Sequence, residues 1–454
     1  MSKFFISIKF GGTSMGSAES IIDCAKIIKE KLKKYSLVVT VSAVAGVTNE
    51  LQAFINLAKK QKPRRVRARI AALKKQHEDI LKKLVPQNEL EHIWQQDFLP
   101  LFSKLETILV GTSLVGDTTP KTEARILSFG EKLSSHLMAQ ALNKLGIANK
   151  RIESEKIIKT DSLYLEANVK FKATNIACRK VIKPLLTKKI VPVVTGFIGK
   201  DTHGNTTLLG RGGSDYTASI LAIGIDAQKI EIWTDVNGIM STDPKIVPNA
   251  ISWPILDMGT VAEMAYSGAR VIHPKSITAA INKNIPVYIL NTFNQDFPGT
   301  KVTLQKIDGI KGIIASQNHT VLNIENPNML EAVGFLATLT KTAQEHNISI
   351  DVCATSETTF TFSIKSKDYS SKFLKNLRQL ANVVVLKNIA KISIIGDDIT
   401  NNTKLLADIF TIFARNQITI HALSIGASTN NITILIADNH REKTLKLLHQ
   451  KLIG

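Results

Sequence analysis

Residues 210–218 read GRGGSDYTA, and this stretch decides how the rest of the chain is read. Two adjacent glycines between an arginine and a Ser-Asp pair are poor packing material and mark a loop that meets a ligand. Residues 206–209 before it read as a short strand. Residues 215–223 after it read as a helix with Ser214 and Asp215 at its cap. At such a helix start the backbone N–H groups of Gly212, Gly213 and Ser214 are expected to be unsatisfied and to attract an anion. Arg211 adds a planar fork suited to a carboxylate or a phosphate. Taken alone, the same residues also fit a plain glycine-rich turn between strand and helix.

Moving outward, 454 residues suggest two to four domains, and 44% hydrophobic with 21% charged content is ordinary for a globular protein. No apolar run approaches the ~20 residues of a membrane span, and the opening MSKFFISIKFGG has no signal-peptide pattern, so a cytoplasmic protein without membrane partners is expected. Cys24, Cys178 and Cys353 are far apart and form no CxxC, which suggests neither a disulfide framework nor a zinc site. The net charge of +20 raises the question of nucleic acid. Much of it falls in residues 59–83 (KKQKPRRVRARIAALKKQHEDILKK), an amphipathic helix with a solvated basic face and no aromatic residues for stacking on bases. A general positive field that draws in small anions fits better, and no nucleic-acid partner is expected.

Phe4–Phe10 alternates into a buried strand with Lys9 near its end, and Gly11, Gly12, Thr13 and Ser14 follow before a helix over about 17–34. This is neither a Walker A loop nor GxGxxG. A lysine at a strand end beside glycine amides could neutralise a transferring phosphoryl group; a solvated strand-end lysine is the plain alternative. Residues 37–43 (LVVTVSA) form a continuous apolar run typical of a buried parallel strand, and 44–49 turn into another helix. Ser42 and Thr48 thereby stand at a strand's carboxyl end, where open α/β sheets bind ligands. Residues 50–145 read as mostly helical, with Glu131 early in a helix that ends near Gly146. Residues 191–198 and 229–236 are further buried strands, the second leading into Ser241, Thr242, Asp243 and Pro244. Strands alternating with helices over the first three hundred residues imply a mostly parallel sheet covered on both faces. His273, before a proline, reads as a structural histidine.

Beyond about residue 305 the catalytic style of glycine loop stops and an order repeats. Strand 320–324, helix 329–345, strands 348–353 and 359–364 and helix 372–380 are restated by 391–395, 405–414, 419–425, 431–437 and 443–452. Two duplicated α+β modules follow from this, suited either to oligomerisation or to effector binding.

Together, KFGGTS at Lys9, VSAVAGVTN at Val41, SFGEK at Ser128, GFIG at Gly196, TTLLGRGGSDYTA at Thr206 and WTDVNGIMSTDP at Trp233 resemble the aspartate kinases. The resemblance covers essentially the whole chain. It implies an α/β amino-acid-kinase fold, a mostly parallel sheet between helices, over 1–305. Two α+β, ferredoxin-like ACT modules over 312–388 and 389–454 would follow. It further implies transfer of the ATP γ-phosphate, with Mg²⁺, to the side-chain carboxylate of L-aspartate. By the family pattern Arg211 would clamp a substrate carboxylate and Glu131 would pair with its ammonium. Ser42, Thr48, Phe197, Gly213 and Ser214 would complete the pocket. Lys9 with Gly11 and Gly12 would neutralise the phosphoryl, and Asp215 would orient the lysine. The same resemblance assigns the nucleotide to Lys9, Gly12, Ser14, Thr234, Asp235, Met240, Lys245 and Arg270. Met240 replaces the family's usual tyrosine, Lys245 its arginine and Arg270 its lysine, so adenine packing is expected to differ. No metal ligand from protein side chains is expected.

HNISIDVCATSE at His346 is most similar to the lysine-sensitive branch, and Met329, Phe335, Leu336, Ser349, Asp351, Ser356 and Glu357 match its lysine-binding pattern. Ala332 stands where those relatives usually have serine. L-Lysine is the effector this implies, with a homodimer through the ACT modules, extending in some arrangements to a tetramer. A fused homoserine dehydrogenase is not expected at this length. A glutamate-type amino-acid kinase is disfavoured by the ACT pair and SFGEK. A silent sensor is disfavoured by Lys9, Arg211 and Asp215.

Overall fold

The computed structural model describes residues 4–269, 272–326 and 334–454. By its internal contacts the chain forms two units, Met1–Ile239 with Val271–Leu304 and Met240–Arg270 with Gln305–Gly454. The linear boundary expected at 305 therefore misses one excursion: the stretch that begins at Met240 belongs with the tail. In chain order the strands are β1 (Phe4–Phe10), β2 (Tyr35–Val41), β3 (Asn149–Ile152), β4 (Val191–Thr195), β5 (Ile198–Lys200), β6 (Thr206–Leu208), β7 (Ile230–Thr234) and β8 (Ile255–Asp257). They continue with β9 (Val287–Asn291), β10 (Thr300–Thr303), β11 (Gly309–Glu325), β12 (Cys353–Thr355), β13 (Thr359–Lys365), β14 (Asn382–Asp397), β15 (Ala422–Ser424) and β16 (Asn431–Ala437).

In the first unit the sheet order is β3-β4-β2-β1-β7-β9-β10. All neighbours are parallel except β10, which runs antiparallel to β9. The apolar strands predict this, because a parallel strand is covered on both faces. Ile6, Ile8, Phe10, Val39 and Val41 are fully buried and share one core with Phe54, Phe102, Leu133 and Leu137 of the helices. The first helix, Ala18–Leu32, begins where Ser17 and Ser20 exchange side-chain-to-backbone hydrogen bonds as a capping box.

The helical stretch 47–144 contains one helix, Gln87–Val115, that is long and apolar enough to cross a membrane by length and composition. This differs from the sequence reading, which saw no such run. Phe98, Phe102, Leu105 and Leu109 of this helix are buried in the first unit's core, while Leu114 and Val115 at its end are exposed.

The second unit holds a six-stranded antiparallel sheet, β12-β13-β11-β14-β16-β15. Two α+β modules are present, but they are not laid end to end at 388/389. The first half of β11 pairs with the second half of β14, Ile313 opposite Ile394, and the second half of β11 pairs with the first half of β14, Ile324 opposite Val383. Accordingly Ile313 packs with Ile392, Ile394, Ile409 and Leu448 in one core. Leu322 and Ile324 pack with Leu339, Phe362, Phe373 and Val383 in another. Residues 309–316 thus complete the C-terminal module, and the other module is inserted within it. The register shifts between Ser316 and Val321 mark the crossing.

Candidate active site

A cleft of about 600 Å³ opens at the carboxyl ends of β1, β2 and β4, lined among others by Lys9, Gly12, Ser42, Thr48, Glu131, Phe197, Arg211, Gly213, Ser214 and Asp215. Ligands collect at this edge in open α/β sheets because loops, not strands, meet there. Residues spread over two hundred positions of sequence are brought together. Lys9, second from the end of β1, is 8% exposed, and its Nζ lies 2.6 Å from Asp215 Oδ1. Asp215 belongs to the first turn of the helix Gly213–Ile225.

The N-cap of that helix differs from the expected Ser-Asp cap. Gly212 takes the position with φ of 71°, which a side chain would strain. A Cβ there would also stand 2.4 Å from Ser276 Oγ and 2.8 Å from the Cβ of His273. Of the three amides expected to be free, that of Gly213 donates to Gly210 O at 3.0 Å. The amides of Gly212 and Ser214 have no such partner among the described residues. The same correction applies at Gly11, whose N–H donates to Trp233 O at 3.0 Å. β7 is the neighbouring strand, so this amide completes the sheet edge and only Gly12 keeps a free one. Ser14 is fully buried, with its hydroxyl 2.8 Å from Thr292 Oγ1. It ties the glycine loop down and does not line the cleft.

Residues 191–198 were expected to be one strand, but Phe197 breaks it with φ of 70°. A bulky residue in the left-handed region is strained and must be held. Two bonds hold it: Phe197 N–H donates to Thr217 Oγ1 at 3.0 Å and Leu209 N–H donates to Phe197 O at 2.9 Å. Its ring then closes on Gly213, where a Cβ would lie 2.5 Å from Phe197 Cδ2.

Glu131 lies in the first turn of the helix Phe129–Lys144 and is 3% exposed. Its Oε1 accepts from the Ala43 N–H at 3.2 Å, and its buried Oε2 has no partner among the described residues. Burial pushes its carboxyl up to about 8, against the opposing pull of the Ala43 N–H and of the Lys9 charge. An uncommitted buried carboxylate oxygen facing a cleft asks for a donor, and a cationic one would restore its charge. Gly130 beside it permits the approach, since a Cβ there would lie 2.8 Å from Ala43 Cβ.

Thr234 ends β7, the strand next to β1 on the side away from β2, and Asp235 follows it, with Thr234 Oγ1 donating to Asp235 Oδ1 at 3.1 Å. They lie outside the lining of the cleft. Met240 and Lys245 fall in the second unit, Met240 bridged to Ser252 and the Lys245 N–H bonded to Asp243 Oδ1 at 2.9 Å. Arg270, Met329 and Ala332 lie outside the described residues. Phe335 and Leu336 open the helix Phe335–Glu345. Ser349 and Asp351 precede β12, and Ser356 and Glu357 turn between β12 and β13. The sequence reading missed Asn49, Gln52, Glu123 and Glu166, which also line the cleft. Glu123 is paired to Lys59 at 2.5 Å, and nothing in its local sequence separates it from any helix-surface glutamate.

The amino acid kinase family matches residues 5–291 and the ACT domain matches 392–452. Aspartokinase 3, chloroplastic, of Arabidopsis thaliana is 32% identical over 97% of this chain and 80% of its own length. The structure of E. coli aspartokinase III with lysine and aspartate (T-state) superposes with a TM-score of 0.86 at 28% identity, covering 99% of this chain and 100% of that one. The R-state of the same enzyme with aspartate and ADP gives 0.83 at 27%, with the same coverage. The chain belongs to the amino acid kinase family and, within it, to the aspartokinases.

Proposed function

We propose that this chain transfers the γ-phosphoryl group of ATP to the side-chain carboxylate of L-aspartate, giving 4-phospho-L-aspartate. This would be the first step toward lysine, threonine and methionine, with L-lysine as feedback inhibitor. One observation carries the reading: a single cleft joins the Lys9–Asp215 pair, the Arg211 guanidinium and the uncommitted oxygen of Glu131. Aspartate has two carboxylates and one ammonium. Arg211 suits a carboxylate, and Glu131 suits the ammonium. The attacking carboxylate is ionised at neutral pH, so no general base is needed, and the work is positioning and charge neutralisation. Lys9 at the strand end and the free Gly12 amide would meet the charge on the transferring group. Thr234 and Asp235, on the neighbouring strand, would hold the nucleotide.

Among the described residues no group of three or more His, Cys, Asp or Glu side chains is arranged to hold a metal ion. In this reading the magnesium would enter on the triphosphate, whose oxygens supply ligands and whose charge it lowers. Lysine as effector is supported by the E. coli relative having been solved with lysine and aspartate in its T-state, and a homodimer built through the ACT modules is part of the same reading.

The test is hydroxylamine trapping of the acyl phosphate with aspartate and MgATP, with and without millimolar lysine. Aspartyl hydroxamate that falls with lysine supports the whole proposal. Hydroxamate from glutamate or acetylglutamate alone overturns the substrate, and activity that falls with threonine and not lysine overturns the effector.

A further inference from the structure

Where the inserted ACT module meets the C-terminal one, the second half of β14 carries a buried cation that is already bound. Lys391 lies in β14, opposite Ser316 of β11 and Leu435 of β16, on the face away from the core formed by Ile392 and Ile394. It is 8% exposed, an unusual setting for a lysine in mid-sheet, where its ammonium needs an anion. That anion is Asp351, with Lys391 Nζ donating to Oδ2 at 3.4 Å. His319 Nδ1 reaches the same oxygen at 3.4 Å, and its Nε2 is 2.9 Å from Ser316 Oγ. Burial, then the charge of Lys391, holds the imidazole below its ordinary value, with Asp351 opposing and Lys365 adding to the depression. His319 is thus neutral at physiological pH, and Lys391 is the cation that Asp351 holds. The Asp351 side chain remains 28% exposed, so a second cation can approach it.

We propose that Lys391 is a built-in competitor at the effector site. Its ammonium occupies the carboxylate that would receive an amine of the effector, so the site takes a cationic amino acid only when that pair opens, and residue 391 sets the affinity. This rests on the reading of Asp351 as an effector ligand. An incoming ammonium either shares one carboxylate with a like charge a few ångströms away or displaces Lys391 from the one anion it pairs with among the described residues. Both weaken binding. A neutral residue at 391 leaves Asp351 free for the ligand.

The experiment is calorimetric titration of the full-length enzyme with L-lysine, comparing wild type, Lys391→Met, Asp351→Ala and the double variant. Lys391→Gln serves as a second neutral replacement, and thermal melts check folding. Lys391→Met or Lys391→Gln should bind lysine about tenfold tighter or more, and the gain should vanish in the Asp351→Ala background, where the competition has no object. Equal affinity of wild type and both neutral variants, with Asp351→Ala still abolishing binding, would overturn the competitor and leave the effector reading standing. Lysine binding indifferent to Asp351→Ala would overturn the reading of Asp351 itself, and the competitor with it.

Discussion

Lys9 and Asp215 are bound at 2.6 Å although one ends a strand and the other begins a helix two hundred residues later, and both are nearly buried. The carboxylate fixes where the ammonium points. Asp215→Asn keeps the volume and removes the charge, and breaking a buried pair costs about 3–5 kcal/mol when the partner is left charged. kcat in the trapping assay should fall by about 10² or more, the size of losing one preorganised charge-stabilising donor. Lys9→Met combined with Asp215→Asn should be little worse than either alone. Additive losses would show that the two residues act separately.

Glu131 predicts a pH dependence. Its carboxyl titrates near 8 in the empty cleft and near the ordinary 4.5 when unfolded. Between those values the folded chain holds a proton that the unfolded chain has released, so stability from this group, complete below 4.5, is lost as pH rises through about 8. Glu131→Gln carries no such penalty. Its melting temperature relative to wild type should therefore rise from pH 5 to pH 8. Pairing with the ammonium of aspartate requires the ionised form, so binding below pH 8 should release close to one proton. Apparent affinity should tighten by up to about tenfold per pH unit. Calorimetry in buffers of different ionisation enthalpy counts that proton; none released would exclude this partner for the ammonium.

Two glycines should respond to alanine with opposite signs. A Cβ on Gly196 would lie 2.6 Å from Ser214 Oγ and 2.8 Å from the Val41 carbonyl oxygen, whereas one on Gly111, inside the helix Leu99–Val115, meets nothing within 4 Å. Gly196→Ala should lose about 1–3 kcal/mol by denaturant titration, and activity with it, because the atoms that must move line the cleft. Gly111→Ala should gain as much as about 1 kcal/mol with activity unchanged.

Inside the second unit, Ser241 and His449 are both fully buried, with Ser241 Oγ 2.9 Å from His449 Nε2. Ser241 Oγ also accepts the Ile251 N–H at 2.9 Å, and its carbonyl accepts the Ile313 N–H at 2.8 Å. His449→Leu leaves a buried hydroxyl short of a partner and should cost about 1–3 kcal/mol. His449→Gln, which can still reach the hydroxyl, should recover part of that. Equal losses in both would assign the effect to packing.

Local pattern made the strands, the helical stretch 47–144 and the cleft legible, because each rests on apolar runs or on glycines next to a strand end. Phe10 and Val41 are of this kind, whereas the role of Glu131 came from the family resemblance alone. What escaped depended on partners far along the chain. The Gly11 amide reads as free until Trp233 is known to lie beside it, and the Ser214–Asp215 pair reads as a cap until Ser276 is seen to fill the space against Gly212. Asp351 carried its family meaning in sequence, yet nothing local announces Lys391 forty positions on. The threading of residues 309–316 into the C-terminal module was hidden for the same reason, since a strand's partner cannot be read from the strand.

That threading makes β11 and β14 common property of two hydrophobic cores. A truncation at residue 388 cuts through β14 and leaves Ile313 without Ile392 and Ile394, while every residue of the other core lies before the cut, so the C-terminal module cannot be removed without stranding residues 309–316. Slippage of either strand by one residue pair, the smallest step that keeps side chains on their own faces, would unseat Ile313 and Ile394 at one end and Ile324 and Val383 at the other. Lys391 stands in that shared β14, so its pair with Asp351 is built on a strand that both cores hold.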